Sequence, residues 1–272
     1  MLRARLISAA VMMPLVIYGV LALPMNLFAL LLSLVLVAGA WEWGHLVPLT
    51  SSALRLLYCI AVAGLMWLLW QTGLDTTIHW LLPLAILWWV FALNWLTHPK
   101  ICVQAGAACT GFKLLAGILV IVPAWAALAV LQGSDPDGPV LALGLMIMVW
   151  LADSGAYFAG RRWGRNKLAP VISPGKTREG AYGGLLASMV FAGVAGAFYS
   201  HSLRWTLACL LASLVAMLFS IAGDLLESLM KRQSGIKDSG HIIPGHGGIL
   251  DRLDSLLAAA PLFLAGFRLL GL

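Results

Sequence analysis

A chain of 272 residues with 61% hydrophobic and only 10% charged side chains, and a mean hydropathy of +0.95, cannot cover a compact body with polar groups; soluble domains carry about 25% charged residues. The composition excludes a water-soluble globular domain and specifies an integral membrane protein. The formal net charge of +6 therefore has to be read by position, and nucleic-acid binding is not needed to explain it.

About 20 apolar residues cross a bilayer as a helix. Nine stretches qualify: 6–23, 26–47, 53–72, 78–97, 112–132, 139–160, 180–199, 203–228 and 249–270. The expected fold class is an all-α polytopic membrane bundle of about nine transmembrane helices with a cytoplasmic N-terminus. The basic start, Met1-Leu2-Arg3-Ala4-Arg5, runs into the first stretch, which reads as a retained helix because more spans follow. Pro24-Met25-Asn26 is the tight turn of a hairpin between the first two. Residues 1–140 form a region of N-terminal transmembrane helices. Trp41, Trp43, Trp80 and Trp95 fall near span ends there, as in an interfacial aromatic belt, and Glu42 and His45 are placed to snorkel. Residues 141–272 form the expected catalytic transmembrane region, with cytoplasmic-face loops at 161–179 and 229–248. Cys59, Cys102, Cys109 and Cys209 show no C-x-x-C pair and read as small apolar packing residues.

The cations fix the orientation. With the N-terminus inside, Arg3, Arg5, Arg55, Lys100, Lys113, Arg161, Arg162, Arg165, Lys167, Lys176, Arg178, Lys231, Arg232, Lys237 and Arg252 collect on the inner side, and of the 17 Lys and Arg residues only Arg204 and Arg268 fall outside. Asp75, Asp135 and Asp137 are also outside. This is the positive-inside pattern, and a one-span error would scramble it.

Most charges lie in two islands, 153–179 and 224–254, both assigned to the cytoplasmic face. In the second, Asp224 ends a long apolar helix, with Glu227 and Ser228 on neighbouring parts of the same face. Asp251, Asp254 and Ser255 repeat that spacing at the start of the last span. Asp251 and Asp254 are explicable by a helix dipole, but Asp224 sits near a C-terminal end, where negative charge is unfavourable. A cation gathered between the two helix ends explains Asp224 and Asp251 together, and hard oxygen ligands point to Mg²⁺, which usually brings phosphate with it. The intervening loop offers Lys231, Arg232 and Lys237 to phosphate oxygens, and Gly245, Gly247 and Gly248 for close backbone approach. A solvated basic loop on anionic lipid is the plainer reading of the cations alone.

In the first island, Ser173-Pro174-Gly175-Lys176-Thr177-Arg178-Glu179-Gly180 is not a P-loop, because Pro170 stands where glycine is required. It reads as a Ser-Pro helix start carrying Lys176 and Thr177 as a triphosphate grip. Asp153 and Tyr157 share a face one turn apart, either as part of the site or as a buried hydrogen-bonded pair.

The run Ser228-x-Met230-Lys231-Arg232-x4-Lys237-Asp238-x-Gly240-x2-Ile243-Pro244-x-His246-Gly247-Gly248-Ile249-x-Asp251-Arg252-Leu253-Asp254 resembles, at every fixed position, the signature of the phosphatidate cytidylyltransferases (CDP-diacylglycerol synthases). Gly223-Asp224-Leu225 and Ser173–Gly180 look like that family too. The resemblance covers residues 150–260; the earlier spans share only their hydrophobicity. Arg178 departs from the aromatic residue of many members, which leaves base stacking there without support.

The resemblance implies a bacterial inner-membrane enzyme that makes CDP-diacylglycerol and pyrophosphate from CTP and phosphatidic acid with Mg²⁺. It implies a second cation as well, with K⁺ a candidate, and a homodimer is among its expected partners beside membrane lipids. Asp224, Asp251, Lys231, Arg232 and Lys237 are the expected catalytic residues. Asp224, Asp251 and Asp254 are the expected metal ligands, Asp254 directly or in support. Asp153, Ser173, Lys176, Thr177, Glu179, His246, Gly247, Gly248 and Arg252 are the expected substrate contacts. Two alternatives remain at this stage: a CTP-dependent lipid kinase such as a polyprenol kinase, and an ion-coupled transporter, since intramembrane carboxylates also mark ion pathways.

Overall fold

A computed structural model describes residues 2–47, 49, 51–104, 106–134, 136–200, 202–240 and 247–271, leaving aside the side chains of 2–11 and 200. Among these residues nine helices follow in order: α1 (Leu2–Ala22), α2 (Met25–Leu46), α3 (Ser52–Thr72), α4 (Leu74–Thr97), α5 (Ala107–Gly133), α6 (Gly138–Trp163), α7 (Arg178–Ser200), α8 (Leu203–Gln233) and α9 (Leu250–Leu269). Each coincides, to within a few residues, with one of the apolar stretches. Seven of them, α2 to α8, are long and apolar enough to cross a membrane. The apolar part of α1 is shorter, Met12–Ala22. α9 carries Asp251, Arg252 and Asp254 in its first turns and is buried over most of its length.

α5 is the core. Residues 120–132 are buried without a break, as suits a helix apolar on every side, and α2, α4, α6 and α9 pack around it. The outer surface is apolar as well: Leu15, Trp67, Leu87, Phe158 and Leu186 all face outward. A surface of that kind is at home against lipid tails and against nothing aqueous.

Side-chain bonds show which helix ends meet. The end of α2 joins the start of α5, where Trp43 Nε1–H donates to the Lys113 carbonyl at 2.8 Å. The end of α8 joins the α4–α5 connection, where Gln233 Nε2–H donates to the carbonyls of Pro99 and Ile101, each at 3.0 Å. At the opposite end, Gln132 on α5 donates to the carbonyls of Val20 and Leu23, and Trp205 of α8 stacks edge-on against Phe267 of α9. Helix ends that alternation places together do lie together, and both charged islands share one end.

Several expectations need correction. Trp43 and Trp95 are core residues, not belt residues; both are buried, and Trp95 Nε1–H donates to the Ile101 carbonyl at 3.2 Å. α6 runs to Trp163 and α8 to Gln233, so Arg161, Arg162, Lys231 and Arg232 lie on final helical turns and not in loops. Cations in a last turn oppose the negative helix end, which favours such extensions. The expected helix start at Ser173 is a strand. β1 (Lys167–Ala169) pairs antiparallel with β2 (Ser173–Thr177), Lys167 opposite Thr177. α7 begins only at Arg178, with Thr177 Oγ1 accepting the Gly180 N–H at 3.1 Å as its cap. Asp135, expected on the outer side, and the 241–246 segment with Gly245 and His246 lie outside the described residues.

Candidate active site

At the charged end, α6, β2, α7, α8 and α9 enclose a cavity of about 1210 Å³. Its polar lining comprises Asp153 and Arg161 from α6, Lys176 and Thr177 from β2, Asp224 and Lys231 from α8, and Asp251, Arg252 and Asp254 from α9, with Asp238 and Gly247 from the loop before it. The same cavity is also lined by apolar side chains from membrane-spanning stretches: Ala152, Ala156, Leu185, Met217 and Ile221. One chamber thus offers both charged groups and hydrocarbon-like surface.

The hairpin delivers Lys176 to this chamber. Glu179, at the start of α7, closes the hairpin base by accepting the Arg165 N–H at 3.1 Å, the Asn166 N–H at 3.2 Å and Asn166 Nδ2–H at 2.6 Å. Lys176 Nζ then forms an ion pair with Asp224 across the cavity. A second lysine serves the other carboxylate. Lys231 Nζ lies 2.7 Å from Asp251 Oδ1 and 3.0 Å from Glu227 Oε2, joining α8 to α9. Asp251 Oδ2 accepts the N–H groups of Gly248 at 2.8 Å and Ser239 at 3.1 Å. Gly247 makes this turn at φ +83°, where a Cβ would also meet Asp251 Oδ2 at 2.8 Å, so glycine is required on both counts.

The carboxylates outnumber these lysines. Asp254 lies within the fields of both Asp224 and Glu227 and within hydrogen-bond reach of Glu227. Asp153 likewise feels Asp224, with Lys176 and Arg252 opposing. No three His, Cys, Asp or Glu side chains among the described residues close on one point as a cage. Mg²⁺ does not need one, because it usually takes one or two carboxylates and completes its shell with water and substrate phosphate. The donor set fits such an ion.

A family model described as the cytidylyltransferase family matches residues 3–270. The chain belongs to the cytidylyltransferase family. It is 42% identical over 266 residues to the phosphatidate cytidylyltransferase of Pseudomonas aeruginosa, covering 97% of this chain and 96% of that one. It is 36% identical over 282 residues to the phosphatidate cytidylyltransferase of Haemophilus influenzae, covering 97% of each. A third relative, the phosphatidate cytidylyltransferase of Staphylococcus haemolyticus, is 49% identical over 127 residues, 46% of this chain.

In this member of the family the cavity brings together Asp153, Lys176, Thr177, Lys231, Asp224, Gly247, Asp251, Arg252 and Asp254. Other expected site residues lie off the cavity wall. Arg232 Nε–H donates to the Ile172 carbonyl at 3.3 Å, tethering the hairpin turn to α8. Ser173, Glu179 and Gly248 serve the hairpin and the α9 turn, and Lys237 is exposed on the loop. Tyr157 and Asp153 do not form a pair; Tyr157 Oη accepts from Arg161 at 2.9 Å. Sequence reasoning missed Ser239 and misplaced Glu42, which is 1% exposed and accepts hydrogen bonds from the start of α9. A carboxylate inside an apolar run was the available signal, the same one that singled out Asp224.

Proposed function

We propose that this protein transfers a cytidylyl group from CTP to phosphatidic acid, releasing pyrophosphate and leaving CDP-diacylglycerol in the membrane. The observation that carries this reading is the chamber itself: lysines, carboxylates and apolar side chains of membrane-spanning helices line one cavity. A nucleoside triphosphate and a lipid phosphate can meet there without either leaving its own phase. The match to full-length phosphatidate cytidylyltransferases supports the same substrates.

In the proposed step a phosphatidate oxygen forms a bond to the α-phosphorus of CTP as the bond from that phosphorus to the β-phosphate oxygen breaks. The nucleophile is already an anion, so no serine or cysteine is needed, and catalysis reduces to positioning and charge neutralisation. Lys176 and Thr177 hold the CTP phosphates. Lys231 and Arg252 neutralise the phosphatidate and the departing pyrophosphate. Asp224 and Asp251, with Asp254 in support, are the residues that would hold Mg²⁺, which screens phosphate charge and polarises the reacting phosphorus when bound. The positive-inside distribution supports a cytoplasmic site in a bacterial inner membrane, the side on which CTP is found.

Product analysis tests the reaction. Purified protein given CTP labelled in its α-phosphate and phosphatidate in mixed micelles is expected to yield labelled CDP-lipid and pyrophosphate. Phospho-lipid and CDP would instead establish a kinase, and no CTP turnover would favour a transporter. Asp224→Asn and Asp251→Asn, each folded, are expected to lower Mg²⁺-dependent turnover by about 100-fold or more. Full activity in either removes that residue from the ion's ligands.

A further inference from the structure

Glu42 lies on α2, outside the cavity wall, yet its buried carboxylate works at the start of α9. Oε1 accepts the Ile249 N–H at 3.0 Å and Oε2 accepts the Leu250 N–H at 2.9 Å. The first amides of a helix have no partner within it, and an N-cap side chain beside them normally serves. Ile249 supplies no such cap, and the acceptor comes from 207 residues away in sequence. Ser239 Oγ stands 3.1 Å from Glu42 Oε2 and 3.0 Å from Asp251 Oδ2. A hydroxyl carries one proton, so the two carboxylates share one donor. Gly248 closes the arrangement; a Cβ there would meet Glu42 Oε2 at 2.5 Å.

The bonds converge on one result. Asp251 Oδ2 is held by the loop that Glu42 grips, and Oδ1 is left to face Lys231 and the chamber. A space-filling position has no use for a carboxylate whose burial is unfavourable. Among the described residues the compensation for Glu42 comes from these backbone and hydroxyl donors and not from an ion pair.

We propose that Glu42 is a positioning residue for cytidylyl transfer: through Ser239 and the amides of Ile249 and Leu250, it fixes the direction in which Asp251 presents Oδ1 to Lys231 and the chamber. This rests on the role given to Asp251 above.

The test compares full-length Glu42→Gln, Glu42→Asp, Ser239→Ala and the Glu42→Gln/Ser239→Ala double variant with Asp251→Asn. Glu42→Gln is expected to lower kcat per folded molecule by about 10- to 100-fold, as for groups that orient a ligand, with KM for both substrates changed by less than about threefold. Glu42→Asp keeps the charge and recovers part of the rate. The double variant falls no further than Glu42→Gln alone, because both act through one element. A readout apart from turnover is the rise in unfolding midpoint that Mg²⁺ alone gives the wild type; it shrinks in Glu42→Gln while the Mg²⁺-free midpoint changes less. The proposal is overturned by wild-type kcat per folded molecule in Glu42→Gln, or by additive losses in the double variant. An active Asp251→Asn removes the reading of Asp251 itself, whereas an inactive Asp251→Asn beside a fully active Glu42→Gln removes only the role of Glu42.

Discussion

Lys231 on α8 and Asp251 on α9 are joined Nζ to Oδ1 at 2.7 Å, and the same ammonium holds Glu227 Oε2 at 3.0 Å. One cation thus serves two carboxylates, with side-chain exposures of 14% for Lys231, 10% for Asp251 and 4% for Glu227. The pair bonds the two helices that carry the metal-ligand candidates, and it does so on the cavity wall. An arriving phosphate would compete with Asp251 for this lysine.

Lys231→Met therefore tests stability and chemistry together. Removing the shared cation leaves Glu227 and Asp251 Oδ1 without their positive partner in a mostly buried place, a loss of about 3–5 kcal/mol for a broken buried pair. Thermal unfolding in detergent should show a clear fall in midpoint, and turnover should be lost. Adding Glu227→Leu should restore part of the midpoint, since a buried pair replaced by apolar groups is often tolerated, but should not restore turnover. Recovery of both would show that Lys231 only holds the helices together.

The α6–α7 contact sets how far Asp153 stands from the hairpin carrying Lys176. It is built from small residues, with Ser188 Oγ donating to the Met148 carbonyl at 2.9 Å, as in packed membrane helices. A Cβ on Gly155 would meet the Gly183 carbonyl at 2.8 Å and Ala187 Cβ at 2.9 Å. Gly155→Val is expected to destabilise by about 1–3 kcal/mol through overpacking and to reduce turnover as the helices part. A Cβ on Gly144 of the same helix would meet nothing within 4 Å, so Gly144→Val is the matched control; equal losses in both would trace the effect to helix propensity alone.

The bundle was legible because each span is a long apolar run and because its cations alternate by side; the structure places both charged islands at one end. Asp224 was legible because a carboxylate closing a long apolar run has no cheap explanation, although α8 continues past it to Gln233. The same logic applied to Glu42, but a position near a span end invited the snorkelling explanation, and its partners in α9 lie 207 and 208 residues away. The hairpin was not legible. Its strands have three and five residues, too short for an alternating pattern to register, and Ser-Pro is as good a helix start as a strand. The extension of α8 was legible in part, since Lys231 and Arg232 suit a helix C-terminus.

The hairpin also separates two residues that sequence reasoning treated alike. Lys176 lines the cavity, whereas Glu179 accepts hydrogen bonds from three donor groups at the hairpin base. Lys176→Ala removes a charge-assisted contact to phosphate and should raise the apparent KM for CTP by about tenfold or more. Glu179→Ala leaves that contact in place and loosens the strand that aims it, so its effect on the CTP KM should be smaller. In the Lys176→Ala background it should add nothing, because there is no longer a lysine to aim. CTP titrations of the two single variants and the double variant decide the matter. If Glu179→Ala costs the same with and without Lys176, Glu179 touches the nucleotide itself and the hairpin base is not its main task.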